Sequence, residues 1–321
     1  MVRILTTPQR VAPNADIARL PAIRFAFAPV ADLATAEART RRLAYSHYEN
    51  FSVVSLLLPA RLRQDFCNIY AFCRTADDLG DEVGDRDASL DYLADFKRQT
   101  RACFAGQSSS AVFVALSSTI RKYDIPIQPF LDLVDAFEQD QRITRYESFE
   151  QLVDYCRRSA DPVGRLVLCL CGYRDERRQK LSDKTCTALQ LTNFWQDVRR
   201  DILDRDRIYI PAESMRRFAV TERQIKEGRC DDNFRRLLQF EVDRTQALFR
   251  EGEALLPLLD PAFRRHIALF ARGGMSILDA IRRRDYDTLS SRPTLSPWRK
   301  ARLVVSAAGA FIAEALLGGR S

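Results

Sequence analysis

Glycine and proline are scarce in this chain, 12 and 13 of 321 residues. At 46% hydrophobic and 29% charged it is neither disordered nor fibrous. Runs of alternating apolar and polar residues, the mark of half-buried strands, are hard to find. Apolar residues recur instead at spacings of three and four, so the expected fold class is all-α. Histidine is rarer still, with only His47 and His266, and the eight cysteines form no C-x-x-C pair. A zinc site is therefore not expected. Cys169 and Cys171, in the apolar run "LVLCLCGY", read as buried free thiols, and with no secretory signal a reducing cytosol fits. No apolar stretch reaches the ~20 residues that a spanning helix needs. The nearest, 303–319, carries Glu314. No aromatic-plus-basic RNA motif and no zinc finger is found, so nucleic acid is not an expected partner.

What is present is a basic surplus and a long series of helical patterns. The net charge of +7 suits phosphates, nucleic acid or anionic lipid. Helices are expected at about 31–49, 60–83, 88–105, 109–123, 128–142, 147–158, 162–172, 180–203, 231–257, 261–284 and 296–317. No fixed-period repeat and no shift of composition marks a boundary. The expected organisation is a loosely ordered leader over 1–35, one helical domain over 36–290, and an apolar C-terminal helix over 291–321. "PWRKARLVV" puts Trp298, Arg299, Lys300 and Arg302 ahead of that last helix. It would either close the bundle or lie on a membrane surface. The expected location is cytoplasmic, with a peripheral contact at the inner face of the membrane left open.

Residues 70–85 read "YAFCRTADDLGDEVGD" and put four acids, Asp77, Asp78, Asp81 and Glu82, within six positions of a basic chain. On a helix Tyr70, Arg74, Asp77, Asp78 and Asp81 recur every three or four residues and share a face. Two carboxylates at i and i+4 repel by a few tenths of a kcal/mol. Near a helix C-terminus the macrodipole opposes them as well. Such a stretch is either a solvated acidic end or a ligand set for Mg²⁺, which takes one or two carboxylates and completes its shell with phosphates and water. A second stretch, "QLTNFWQDVRRDILDRDRIYIP" at 190–211, repeats the pattern. Gln190, Asn193, Asp197 and Asp201 step by three and four with apolar Leu191, Phe194, Trp195 and Val198 between them. Two oxygen-rich faces of this kind could hold Mg²⁺ ions on a diphosphate and make it a leaving group.

In combination these motifs resemble the squalene/phytoene synthase family, the head-to-head trans-isoprenyl diphosphate synthases. "LLPARLRQDFCNIYAFCRTADDLGDE", "LVDYCRRSADPVGRLVL" and "LQLTNFWQDVRRDILDRDRIYIP" occur in the family's order and spacing, and the resemblance runs from about residue 40 to 285. "HYENFSVVSLLLP", "SADPVG" and "FWQDV" look closest to the branch of bacterial hydroxysqualene synthases, of the squalene pathway that serves hopanoids. Gln196 stands where phytoene and dehydrosqualene synthases have Arg, and Asp161-Pro162 replaces their Ala-Gly-Thr turn.

The resemblance implies an all-α isoprenoid synthase bundle around a central cavity. It implies that Asp77 and Asp81, assisted by Asp78, ligate Mg²⁺ from one helix, and Asp197 and Asp201 from another. Asn193 and Gln190 would face metal or substrate. Arg74 and Arg207 would grip diphosphate oxygens, Tyr70 and Tyr209 would donate hydrogen bonds to them, and Tyr155 would lie near the reacting carbons. The implied reaction ionises presqualene diphosphate, rearranges the cation and captures one water to give hydroxysqualene, with no NADPH. Other outcomes in the family are condensation of two prenyl diphosphates to presqualene diphosphate, squalene, dehydrosqualene or phytoene. A helical family member that acts as a non-catalytic partner is a further alternative. Companion enzymes would make presqualene diphosphate and reduce hydroxysqualene. Phe51, Phe72, Phe137, Phe194 and Trp195 are candidates for cavity wall or plain core, and His47, Glu49, Asn50 or Tyr155 for holding the water.

Overall fold

Between Pro59 and Gly80 the chain has neither proline nor glycine. This stretch forms the central helix of the first half of the protein, in a computed structural model that describes residues 21–46 and 59–294. Among the described residues the protein is all-α. Its extended contacts are two isolated bridges, Pro29–Ser110 and Arg145–Ile208.

The chain divides into two compact units, residues 1–144 with 154–179, and residues 145–153 with 180–321. The first holds α1 (Pro21–Phe27), α2 (Leu33–Ser46), α3 (Ala60–Asp81), α4 (Arg86–Phe104), α5 (Ala111–Tyr123), α6 (Gln128–Asp140) and α8 (Asp161–Leu170). The division falls inside α7 (Phe149–Ser159) and α9 (Glu176–Gln196). The second unit continues through α10 (Val198–Arg205), α11 (Ala212–Arg217), α12 (Glu222–Glu227), α13 (Asp232–Gly252), a 3-10 turn (Glu253–Leu258) and α14 (Pro261–Arg283).

In the first unit α3 packs against α1, α2, α4, α5, α6 and α8 and is buried on nearly every side. Phe72 points into an aromatic cluster, with ring centroids 5.0 Å from both Phe96 and Phe130. Burying each such ring contributes roughly 1.5–3 kcal/mol. For Phe72 the reading as core holds. Two polar side chains that α3 buries, Asn68 and Asp65, are hydrogen-bonded. Asn68 Nδ2 donates to Thr119 Oγ1 at 3.0 Å, and Asp65 accepts from Thr119, Lys122 and Tyr123. After α3 the chain turns through Gly84 in a left-handed conformation, and Asp85 caps α4 by accepting from Ala88 N–H at 2.8 Å.

In the second unit small residues let helices meet. A Cβ on Gly274 would fall 2.5 Å from Phe249 Cζ and 2.8 Å from Leu189 Cδ2, so a larger residue there would have to displace those side chains where α14 meets α13 and α9. Trp195 is fully buried, with its indole N–H donating to Thr245 Oγ1 at 2.7 Å, and is likewise core.

Three expectations are corrected. Residues 21–27, assigned to a loose leader, form a helix that buries Ile23 and Ala26 against the first unit. The single helix expected over 180–203 is two, with a break at Asp197 (φ −109°, ψ 15°). The helix expected to reach residue 257 ends at Gly252 and tightens into the 3-10 turn that accommodates Pro257. The helix expected over 296–317 and the residues of "HYENFSVVSLLL", among them His47, Glu49, Asn50 and Phe51, lie outside the described residues.

Candidate active site

The last three turns of α3 bring Tyr70, Arg74, Asp77, Asp78 and Asp81 onto one side, as the spacing predicts. Arg74 is buried and reaches along its own helix. Its Nη1 lies 3.5 Å from Asp77 Oδ2, and Nη2 closes an ion pair with Asp78. Burial pushes the Asp78 carboxyl up to about 7, with the Arg74 guanidinium pulling the other way. Burial also raises the Tyr70 phenol. Asp77 is buried and Asp81 half-buried, so both carboxylates are at the edge of the interior rather than in bulk water. Tyr155, on α7, is buried and donates its hydroxyl to Asp140 Oδ2 at 2.7 Å. Asp140 was not among the expected residues. It closes α6 within the polar run 138–142, which carries no motif.

The second unit carries Gln190, Asn193, Asp197 and Asp201 on successive turns across the junction of α9 and α10. All four are buried. The bend at Asp197 keeps the ladder intact, with Asp197 N–H donating to Asn193 O at 3.0 Å and Asp201 N–H to Asp197 O at 2.8 Å. Gln190 Oε1 and Asn193 Nδ2 are buried without a hydrogen-bond partner among the described residues. Asp197 has a partner that the sequence did not reveal. Arg292 grips it with both arms, Nε to Oδ1 at 2.6 Å and Nη2 to Oδ2 at 3.1 Å. The segment around Arg292 is tied down on either side. Gln196 Nε2 donates to Pro293 O, and Arg199 Nη1 to Leu289 O at 3.2 Å.

Arg207 and Tyr209 follow α10 and are buried. The Tyr209 ring stacks on Phe194 at 3.7 Å between centroids. Their segment is held by Arg145, another residue that the sequence reading missed. Arg145 donates to Glu222 Oε1 at 2.7 Å and to Asp206 Oδ1 at 3.0 Å, and it also reaches the Asp206 carbonyl. It holds the Asp206 and Glu222 carboxyls below the usual carboxylate range.

A family model described as squalene/phytoene synthase matches residues 45–299. The chain belongs to the squalene/phytoene synthase family. Members are prenyltransferase-type enzymes that join prenyl diphosphates head to head. Among solved structures the chain is similar to squalene synthase HpnC from Alicyclobacillus acidocaldarius. Identity is 48% and the TM-score 0.75, over 79% of this chain and 96% of that one. It is also similar to a dehydrosqualene synthase solved with a ligand, at 26% identity and a TM-score of 0.79, over 88% of this chain and 98% of that one. Among curated relatives, a phytoene synthase from Thermus thermophilus is 32% identical over 83% of this chain and 90% of its own length. The 15-cis-phytoene synthase of Synechococcus elongatus is 30% identical, over 84% and 92%. The fold is the all-α isoprenoid synthase fold expected of the family.

In this family member the donor set would suit a hard divalent cation. The candidate ligands are carboxylate and amide oxygens, and the buried Gln190 Oε1 has no donor among the described residues. Asp197 already accepts a positive charge, that of Arg292. Among the described residues no three His, Cys, Asp or Glu side chains converge as a metal cage. Ligation would thus rest on carboxylates in pairs, with substrate and water oxygens filling the shell. No described helix is long and apolar enough to cross a membrane.

Proposed function

We propose that this enzyme converts presqualene diphosphate and water to hydroxysqualene and diphosphate. The reading rests on where the sequence leaves the phytoene synthase pattern. Gln196 and Asp161 are both buried, and the Gln196 amide donates to Pro293 O. These substitutions are built into the interior and are not drift on the surface. The 48% identity to a squalene synthase, against 30–32% to the phytoene synthases, favours a squalene-type branch over a phytoene one.

Asp77, Asp81, Asp197 and Asp201 would hold Mg²⁺, with Asp78 and Asn193 supporting. Bound there, the metal would neutralise the diphosphate and make it a leaving group. Arg74 and Arg207 would meet phosphate oxygens with paired N–H groups as charge builds on them. Tyr70 and Tyr209 would donate further hydrogen bonds. Asn193 Nδ2, without a partner among the described residues, would donate to a phosphate oxygen. Taking up substrate would require Arg74 to give up part of its hold on Asp77 and Asp78. Apolar walls would keep the cation from water until one molecule, positioned near Tyr155, adds to carbon and loses a proton. Oxygen enters from water and no hydride is consumed, so NADPH has no role.

A second reading is head-to-head condensation of two farnesyl or geranylgeranyl diphosphates, favoured by the squalene, dehydrosqualene and phytoene synthases among the relatives. Incubating purified protein with presqualene diphosphate and, separately, farnesyl diphosphate, each with and without Mg²⁺, separates the two. Hydroxysqualene from the first substrate, only with Mg²⁺, is the expected result. If presqualene diphosphate is recovered intact, the proposal fails. A C30 hydrocarbon or presqualene diphosphate formed from farnesyl diphosphate would establish the second reading.

A further inference from the structure

We propose that Gln141 is a positioning residue for the Asp77/Asp81 pair, fixing the final turn of α3 so that both carboxylates are presented together. The proposal rests on the magnesium–diphosphate reading above. The last carbonyls of a helix have no donors within it. In α3 the Glu82 N–H serves Asp78 O at 2.9 Å, and the next carbonyls must look elsewhere. Gly80 O finds a side chain, because Gln141 Nε2 donates to it at 2.8 Å.

This turn needs outside support more than most. It carries three aspartates at the negative end of the helix dipole, and Asp77 and Asp81 repel across one turn. Between them sits Gly80, the residue that gives up most backbone freedom to stay helical. Gln141 lies just past the end of α6, and Phe137 of the same helix packs on the bare face of Gly80, 3.4 Å from where a Cβ would stand. The neighbouring Asp140 accepts from Tyr155. The end of α6 thus grips the acidic turn and the tyrosine through adjacent residues.

The test compares Gln141→Met, which keeps the length and loses the donor, with Gln141→His, which restores an N–H. Calorimetry follows binding of inorganic pyrophosphate at several Mg²⁺ concentrations, and turnover is measured across the same range. Loss of outer-shell support typically costs about 10–100-fold in metal affinity. Acting through backbone, Gln141→Met should sit near the lower end, about tenfold. Its turnover should fall at low Mg²⁺ and recover at high Mg²⁺, and Gln141→His should regain part of the affinity. A plain structural cap would lower the melting temperature and leave the Mg²⁺ dependence alone. If folded Gln141→Met binds Mg²⁺–pyrophosphate like the parent, the proposal is overturned while the metal reading stands. If the parent itself binds no pyrophosphate with Mg²⁺, both fall. Should the methionine variant not fold, Gln141→Asn, which keeps the amide but withdraws it by one methylene, carries the same comparison.

Discussion

Asp77 and Asp81 stand where a helix least tolerates negative charge, and Asp77 is buried there against Arg74. Evolving such a turn for stability alone would remove the acids. Replacing Asp81 by Ala should relieve repulsion worth a few tenths of a kcal/mol in the metal-free protein. Turnover should fall by more than the about 100-fold upper range for an outer-shell partner. Thermal melts and steady-state rates check the two halves separately, and retained turnover would remove Asp81 from the metal site. Arg292 makes the opposite case. Its removal leaves the Asp197 carboxylate buried without its counterion, at a cost of about 1–3 kcal/mol, the range for an uncompensated buried polar group. Added Mg²⁺ should stabilise Arg292→Ala more than the parent, because the ion takes over the lost positive charge. Equal Mg²⁺ shifts in the two melts would argue against metal at Asp197. The acidic faces were legible in the sequence because carboxylates at helical spacing announce themselves within a dozen residues. Arg292 was not, since its partner lies 95 positions away and a single arginine in a loop has no pattern. Asp140 and Gln141 were hidden for a similar reason, as polar residues at a helix end that read as solvated.

Long helices were legible from periodicity to within a few residues. α3, expected over 60–83, spans Ala60–Asp81, and α6, expected over 128–142, spans Gln128–Asp140. The break at Asp197 was not, because "FWQDVRR" contains neither glycine nor proline and local propensity favours continuing. α11 and α12, at six residues each, are too short to show a period. What sets the course of the chain between α10 and α12 is a side chain, Arg145, clasping Asp206 and Glu222. Asp206 itself is held left-handed at φ 50°, a conformation that suits aspartate better than most residues. Arg145→Met should lower stability by about 1 kcal/mol at neutral pH, at the upper end for partly exposed pairs because one guanidinium serves two carboxylates. Both carboxyls are depressed in the folded state. Their contribution is therefore complete above the ordinary carboxylate range, about pH 4, and is lost as pH falls through the depressed values. Denaturant titrations of parent and variant should differ at pH 7, and the difference should shrink as the pH is taken below about 4. A gap that stays constant over that range would mean Arg145 acts by packing rather than charge.

At the scale of the whole chain, the all-α class and the family follow from the sequence, while the division into two units does not. Both units are helical and of like composition, and the division falls inside α7 and α9, where no linker signals it. Charge is the other property of the whole. With +7 on a protein whose expected substrate and product carry long apolar chains, attraction to an anionic bilayer would shorten the path between membrane and site. Each Lys or Arg near such a surface contributes about 1 kcal/mol, and this falls off over a Debye length of about 10 Å at 0.1 M salt. The protein should co-sediment with vesicles containing phosphatidylserine, release as salt rises towards 0.5 M, and ignore vesicles of phosphatidylcholine alone. The basic cluster Arg299, Lys300 and Arg302 lies outside the described residues but within reach of this test. A chain truncated before residue 296 should lose most of the binding if that cluster leads it. Truncation with undiminished, still salt-sensitive binding would assign the contact to the arginines of the helical units. Equal binding to neutral vesicles would remove charge as the cause altogether.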